Sequence, residues 1–369
     1  MKIAFSARGL SLPGGGPREF IKCLIPAIAR QKGRDELYVF YNRQEFMGLA
    51  ENCHEVLIKG ENRLWWDFVL FPRTLTRLKI DAAILPKNVI PAAVHSPAYV
   101  VIHDLAYFDR NLSAYPFFDT IYMRVMVPRS VRRATAVFAV SQHTKNDIVR
   151  YTKCDPEKIV VTYEAADLIY RPVDDTVTLN KVKQKYRLPD SFVLYTGSLS
   201  PRKNLVRLLE AFHMIHQSIP HDLVLTGSIS WKDAPVCQTL RRLRLGSRVK
   251  QLGYVSYEDM PALYNLASAY VYPSLYEGFG LPVLEAMQCG CPVVASNTTS
   301  IPEVAGQAAL LVDPLNVDSI AGALLRVLTD KALRDRLVSS GFDRANMFSW
   351  DACAKTMLNT IRESYDRRK

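Results

Sequence analysis

Two adjacent cations and two carboxylates carry most of the chemistry in this chain. Arg202 and Lys203 lie in Thr196-Gly197-Ser198-Leu199-Ser200-Pro201-Arg202-Lys203-Asn204, just after an apolar run and at the start of a helical pattern. A helix N-terminus disfavours cations, so two of them there make sense if an anion shares the space. The guanidinium fork and the compact ammonium together suit a diphosphate; a solvated charge pair is the competing explanation. Glu277 and Glu285 have seven residues between them, including Gly278, Phe279, Gly280 and Leu281. The glycines leave loop amides accessible as a nest for polar oxygens. Pro282 suits the first position of a helix, which puts Glu277 on the loop and Glu285 in the first helical turn. Two acceptors of hydroxyl hydrogen bonds beside an anion-binding helix end fit a polyhydroxylated, phosphorylated ligand. Whether the carboxylates also stand at glycosidase spacing is a matter of geometry, on which sequence is silent.

Two further features follow strands. His103-Asp104 comes directly after the apolar run Tyr99–Ile102, where an imidazole is placed to meet a ligand or to serve the core. Leu12-Pro13-Gly14-Gly15-Gly16-Pro17-Arg18 joins the first strand to a helix beginning near Arg18. Consecutive glycines permit close backbone approach to an anion at a helix N-terminus. The stretch matches neither a Walker loop nor a G-x-G-x-x-G fingerprint.

The elements that must position these residues alternate along the chain. Strands are predicted at Lys2–Ser6, Leu37–Tyr41, Asp81–Leu85, Tyr99–His103, Ala136–Val140 and Ile159–Thr162. A second series covers Phe192–Thr196, Asp222–Thr226, Val249–Leu252, Ala269–Tyr272, Pro292–Ala295 and Ala309–Val312. Their continuous apolar character fits parallel strands covered on both faces. Helical patterns such as Arg18–Gln31, Leu205–Gln217 and Val317–Val338 fall between them. The expectation is α/β: two facing Rossmann-like, doubly wound domains over residues 1–172 and 173–350, with an interdomain cleft. The non-periodic segment Tyr170–Asp175 marks the division.

Composition excludes other classes. The 369 residues are 49% hydrophobic and 22% charged, which rules out a disordered, collagenous or coiled-coil chain. No run approaches 18 apolar residues and no signal-peptide pattern opens the chain, so a cytoplasmic protein is expected. The seven cysteines show neither C-x-x-C nor zinc spacing. A net charge of +11 admits nucleic acid, an acidic membrane or a phosphorylated small molecule as partner. Residues 1–172 carry 24 Lys/Arg against 17 Asp/Glu. There, Arg124–Arg133 and Asn62–Arg77 mix bases with apolar or aromatic residues, a pattern that fits either an anionic bilayer or a core helix with a solvated rim.

With these motifs in place, the sequence resembles the retaining glycosyltransferases of family 4, which have the GT-B fold. Gly197–Asn204 and the Glu277 to Glu285 stretch carry the resemblance most specifically. Val140–Ile148, Ile301-Pro302-Glu303-Val304 and Phe348-Ser349-Trp350 add to it. The resemblance implies that Arg202 and Lys203 hold the diphosphate of a nucleotide sugar. It implies that Glu277 meets the sugar hydroxyls near the amides of Phe279, Gly280 and Leu281, and that Glu285 binds the ribose. The base would lie near Gly253-Tyr254-Val255, with Val255, Ser198 and Gly278 in the donor-binding set. His103 would contact the sugar near the reacting carbon, and Gly15 and Gly16 would close over the phosphates. The last helix, about 351–369, would cross back onto the first domain. Two departures stand out. Gly14-Gly15-Gly16-Pro17-Arg18 replaces the family's Gly-Gly-x-Gly-Arg, and Glu164-Ala165-Ala166-Asp167 replaces Asn-Gly-x-Asp, so no role is carried over to that loop.

The implied reaction is metal-independent hexosyl transfer without a cofactor, from a GDP- or UDP-sugar, GDP-mannose first. The acceptor would be a saccharide or a lipid-diphosphate-linked oligosaccharide in cell-surface polysaccharide assembly, at the inner face of the plasma membrane. The first rival is a GT-B nucleotide-sugar epimerase, against which the Arg-Lys-Asn helix start and the carboxylate spacing argue. A nucleic-acid-binding protein is the second, and no RRM, KH, helix-turn-helix or zinc pattern supports it.

Overall fold

The computed structural model describes residues 1–12, 14–60, 62–109, 112, 115–198, 200–227 and 234–368. Its strands form two sheets. The first contains β1 (Lys2–Ser6), β2 (Glu36–Tyr41), β3 (His54–Leu57), β4 (Ala82–Leu85), β5 (Ala98–Ile102), β6 (Ala136–Ala139) and β7 (Ile159–Val161), in the order β3-β2-β1-β4-β5-β6-β7. The second contains β8 (Phe192–Thr196), β9 (Asp222–Thr226), β10 (Val249–Gly253), β11 (Ala269–Tyr272), β12 (Val293–Ser296) and β13 (Ala309–Val312), in the order β10-β9-β8-β11-β12-β13. Every pairing is parallel.

Burial explains the sequence pattern. Successive strand residues point to opposite faces, yet every residue of β4, β5, β6, β8, β11 and β12 is buried, so both faces of each strand are covered. The edge strand β3 has no buried residue, and its mixed His54-Glu55-Val56-Leu57 gives no continuous apolar run by which sequence could reveal it.

Each sheet reverses its strand order once, between β1 and β4 in the first and between β8 and β11 in the second. In doubly wound sheets such switch points open a crevice at the carboxyl ends of the strands.

The chain divides into two compact units after Glu164, and residues from Ser349 onward return to the first. There the C-terminal helix Trp350–Asp366 packs on the helix Gly16–Gln31. Trp350 meets Phe20 edge-on at 5.4 Å, Arg30 pairs with Asp351 at 2.8 Å, and Arg362 Nε reaches Asp35 at 2.9 Å.

Three helical expectations change. The pattern over Val317–Val338 is two helices, Val317–Thr329 and Lys331–Ala345. Asp330 sits between them with extended backbone and accepts from Leu333 N, so a side-chain cap starts the second helix. Arg202 and Lys203 do not lie in the helix that follows them. They sit on a separate 3-10 turn, Pro201–Lys203, and left-handed Asn204 (φ 63°) divides it from the helix Leu205–Ile215. Glu285 is not in the first turn of its helix, because that helix begins at Leu281 and Glu285 is its fifth residue.

Among the described residues, no helix is long and apolar enough to cross a membrane. The basic stretch Arg124–Arg133 lies on the helix Phe117–Arg133 and splits by role. Arg124 donates to Tyr107 O, and Arg133 to the carbonyls of Pro91, Ala92 and Val94, so both serve the fold. Arg129 and Arg132 stay exposed, as do Phe117, Phe118, Ile121 and Val125.

Candidate active site

The C-terminal unit builds its site at the β8/β11 switch point. The turn after β8 delivers Arg202 and Lys203, and the loop after β11 delivers Glu277. Leu275 N donates to Arg202 O at 2.7 Å, stitching turn to loop through backbone. Asn204 reinforces the junction, its Nδ2 donating to the carbonyls of Pro273 (3.0 Å) and Pro314 (2.6 Å). A residue that would ordinarily cap a helix here spends its side chain on holding two loops.

Glu277 is buried and takes both cations on one carboxylate. Arg202 Nη1 donates to Oε2 at 3.0 Å and to Tyr276 O at 3.0 Å, and Lys203 Nζ donates to Oε1 at 2.6 Å. Lys203 Nζ also donates to the Tyr272 hydroxyl and stands 4.6 Å from that ring's centroid. Burial by itself would raise the Glu277 pKa. The charges of Arg202 and Lys203, with hydrogen bonds from Lys203 and Ser274, outweigh it and pull the carboxyl down to about 2. Glu277 is therefore ionised at neutral pH, one carboxylate shared by two basic side chains.

The loop itself is clamped. Glu277 N donates to Thr299 Oγ1 at 3.2 Å, and Ser300 Oγ lies 3.0 Å from Glu277 O and 2.8 Å from Phe279 O. Gly280 caps the helix Leu281–Gln288 with φ 113°, and a Cβ there would meet Ile301 Cδ1 at 2.6 Å. The left-handed backbone favours glycine, and a Cβ would also have to push the Ile301 methyl aside. Phe279 is buried and meets Phe348 edge-on at 5.8 Å.

Glu285 accepts from Tyr264 OH at 2.9 Å. Thr196 Oγ1 in turn shares hydrogen bonds with Tyr264 and Tyr270. Tyr270 is fully buried, and its hydroxyl pKa is pushed up by burial first, with Glu285 and Glu277 both adding to the shift. A buried tyrosine layer thus underlies both carboxylates. No sequence motif marks Tyr264, Tyr270, Tyr272, Thr299 or Ser300. The only trace there is Tyr270 and Tyr272, two residues apart and hence on one face of β11. Ser198 lies beside this turn, its carbonyl accepting from Tyr195 OH at 3.0 Å. Gly278 belongs to the clamped loop. Val255 is buried just beyond β10, next to exposed Tyr254.

His103, Gly15 and Gly16 belong to the first unit. Gly15 (φ 97°) caps the helix Gly16–Gln31, and its carbonyl accepts from Arg18 N and Glu19 N. His103 is buried just past β5, with both ring nitrogens on oxygen: Nε2 is 2.9 Å from Pro86 O and Nδ1 is 3.2 Å from Glu164 Oε1. Pro86 O can only accept, so Nε2 carries its hydrogen. Glu164, to which no sequence motif assigns a role, is the partner of His103. Phe20 packs edge-on against the imidazole at 4.8 Å. His103 also lines a cavity of about 220 Å³ with Leu12 and Pro17 from the glycine-rich loop.

The sequence of the doubly wound unit that carries Arg202, Lys203 and Glu277 matches a known family. The glycosyl transferases group 1 family covers residues 178–344. The chain is 37% identical to O-antigen chain mannosyltransferase B of Escherichia coli, across 98% of this chain and 100% of that one. It belongs to the group 1 glycosyltransferases. A second relative of this glycosyltransferase, the Escherichia coli serotype-specific mannosyltransferase WbdA, is 32% identical over 64% of this chain, a match that spans only 29% of WbdA. The fold is GT-B. The crystal structure of Anabaena HepE in complex with UDP-glucose superposes with a TM-score of 0.77 at 20% identity, covering 99% of this chain and 100% of HepE.

Proposed function

We propose that this glycosyltransferase moves a mannosyl group from GDP-mannose, with retention of anomeric configuration, to a lipid-diphosphate-linked saccharide during cell-surface polysaccharide assembly. The observation that carries the reading is the trio itself: Arg202 and Lys203 held on an ionised, buried Glu277. Mannose and the polysaccharide context rest on the names of the mannosyltransferase relatives.

Breaking a sugar–phosphate bond builds negative charge on the departing diphosphate and positive charge on the sugar. Cations already fixed in a water-poor site stabilise that anion without reorganising, commonly the largest electrostatic contribution to such catalysis. In this reading Arg202 and Lys203 take the diphosphate. Glu277 orients them and accepts from sugar hydroxyls, while Glu285 accepts from the ribose. Ser198, Gly278, Phe279, Gly280, Leu281 and Val255 line the rest of the donor; the roles of Gly15 and Gly16 at phosphates and of His103 at the reacting carbon rest on the family resemblance alone. The reaction uses no metal or cofactor, because protein cations supply the neutralising charge.

The exposed Phe117, Phe118, Ile121 and Val125, with Arg129 and Arg132, support a peripheral position on an anionic membrane. Sedimentation with anionic vesicles at low salt, released at high salt, is the expected behaviour.

The deciding experiment is a thermal-shift and turnover screen of the purified protein with GDP-, UDP- and ADP-sugars. GDP-mannose is expected to give the largest stabilisation and, when a mannosyl saccharide acceptor is added, to release GDP as its mannose passes to an acceptor hydroxyl with the α configuration retained. A larger response to a UDP-sugar would overturn the donor assignment. A donor isomerised in the absence of any acceptor would favour the epimerase.

A further inference from the structure

The first sheet has its own switch point, and cations gather there too. Arg8 lies two residues beyond β1, and Lys87 two residues beyond the adjacent parallel strand β4. They line one cavity with Arg63, Asp67, Phe68 and Tyr122. Three cations against one carboxylate leave a surplus of two positive charges in a partly buried space.

The single acid does not satisfy them. Asp67 Oδ2 stands 3.6 Å from Arg8 Nη1 and 3.7 Å from Arg63 Nε, both longer than a normal hydrogen bond. Arg8 Nε is buried with no hydrogen-bond partner. Lys87 Nζ has no hydrogen bond or ion pair among the described residues. Burial first, then repulsion from Arg63 and Arg8, pulls its pKa down to about 8, against the opposing pull of Asp67. Arg8 stands over the Trp66 ring and Arg63 over the Tyr122 ring, each 5.9 Å from the centroid, but among the described residues Asp67 is the one carboxylate lining the cavity. Arg63, Lys87 and Tyr122 also form a wall of the larger His103 cavity, so the two hollows adjoin. A buried water needs about 10–15 Å³, so the cationic hollow of about 40 Å³ has room for a small anionic group. The 220 Å³ hollow beside it has room for something larger, such as a sugar.

We propose that Arg8, Arg63 and Lys87 form a phosphate-binding site for the acceptor, seating its phosphate or diphosphate in the cationic hollow and its saccharide in the hollow that His103 lines. This rests on the transferase reading above. Arg and Lys in this mixture recognise phosphate by bidentate and point-charge contacts. The location agrees with the rule that open α/β sheets bind ligands at switch points.

The test has two arms on the full chain. In the first, inorganic pyrophosphate is titrated calorimetrically into Lys203→Ala, which weakens the donor site, and into Lys203→Ala combined with Lys87→Met, which keeps the side-chain stem. Binding in the first protein and a loss of about tenfold or more in the second is expected for removal of one charged contact. Equal binding in both would overturn the site. In the second arm, a mannosyl disaccharide on a short alkyl diphosphate is compared with the same disaccharide on a neutral alkyl chain. Lys87→Met and Arg63→Gln are each expected to raise the ratio of the two KM values about tenfold, diphosphate over neutral. A constant ratio despite pyrophosphate binding would mean that the hollow takes free phosphate, and would overturn the acceptor assignment. Lys87-dependent pyrophosphate binding without glycosylation of either acceptor would leave the anion site standing and remove the proposed mannosyl-transfer reading instead.

Discussion

Lys203 Nζ stands 2.6 Å from Glu277 Oε1, although the two lie 74 positions apart in the chain. Both side chains are buried, and Arg202 closes on the other oxygen of the same carboxylate. Glu277 therefore pre-positions the cations that the proposed reaction needs. It is also the acid whose charge they secure.

Replacing either cation should stop turnover more than it disturbs folding. For Arg202→Ala and Lys203→Ala we expect transfer to fall on the order of 10²–10³-fold, as for loss of one fixed oxyanion donor. In each variant the remaining cation still faces Glu277, so far-UV circular dichroism should stay native. Near-normal turnover in both would exclude a diphosphate role.

The ionised state of Glu277 has a pH signature. Its folded pKa of about 2 lies below the ordinary 4.5, so it contributes stability that is complete above about 4.5 and is lost as pH falls towards 2. A shift of this size corresponds to roughly 3 kcal/mol. Glu277→Gln cannot titrate, so its stability deficit against the wild type should shrink between about pH 5 and pH 3 in urea unfolding. A deficit that does not change over that window would show that Glu277 is not held ionised.

Glu285 should separate binding from chemistry. Glu285→Ala removes the proposed ribose acceptor and leaves Tyr264 its contact with Thr196. We expect the donor KM to rise about tenfold, with kcat changing far less, for loss of a charged hydrogen bond. Steady-state kinetics at saturating acceptor reads this directly, and an unaltered KM would take Glu285 out of the donor site.

Chelation tests the assignment of charge neutralisation to protein cations. Transfer is expected to proceed at its full rate in excess EDTA after dialysis against chelator. A loss of rate restored by Mg²⁺ or Mn²⁺ would mean that a metal shares the diphosphate with Arg202 and Lys203.

Much of this architecture is determined by local sequence. Continuous apolar runs such as Phe192–Thr196 and Ala269–Tyr272 suit strands buried on both faces, and those two spans match β8 and β11 residue for residue. Cations, carboxylates and glycines just after such strands could be recognised by type and spacing, because strand ends are where a doubly wound sheet exposes its ligand crevice. Local patterns were weakest where a short-range competitor intervened. Asp330 caps a helix inside what reads as one periodic stretch, and Asn204 adopts a left-handed conformation that isolates the Arg202–Lys203 turn.

Only the tertiary structure decided which charges meet. That Arg202 and Lys203 share Glu277, that Glu164 rather than solvent faces His103, and that Arg8 and Lys87 join the neighbouring pair Arg63 and Asp67 in one hollow all depend on residues distant in sequence. Strand order in the sheets, which brings β1 beside β4 and β8 beside β11, sets those meetings. Periodicity records whether a residue is buried, but pairing between distant segments leaves no mark on either one alone.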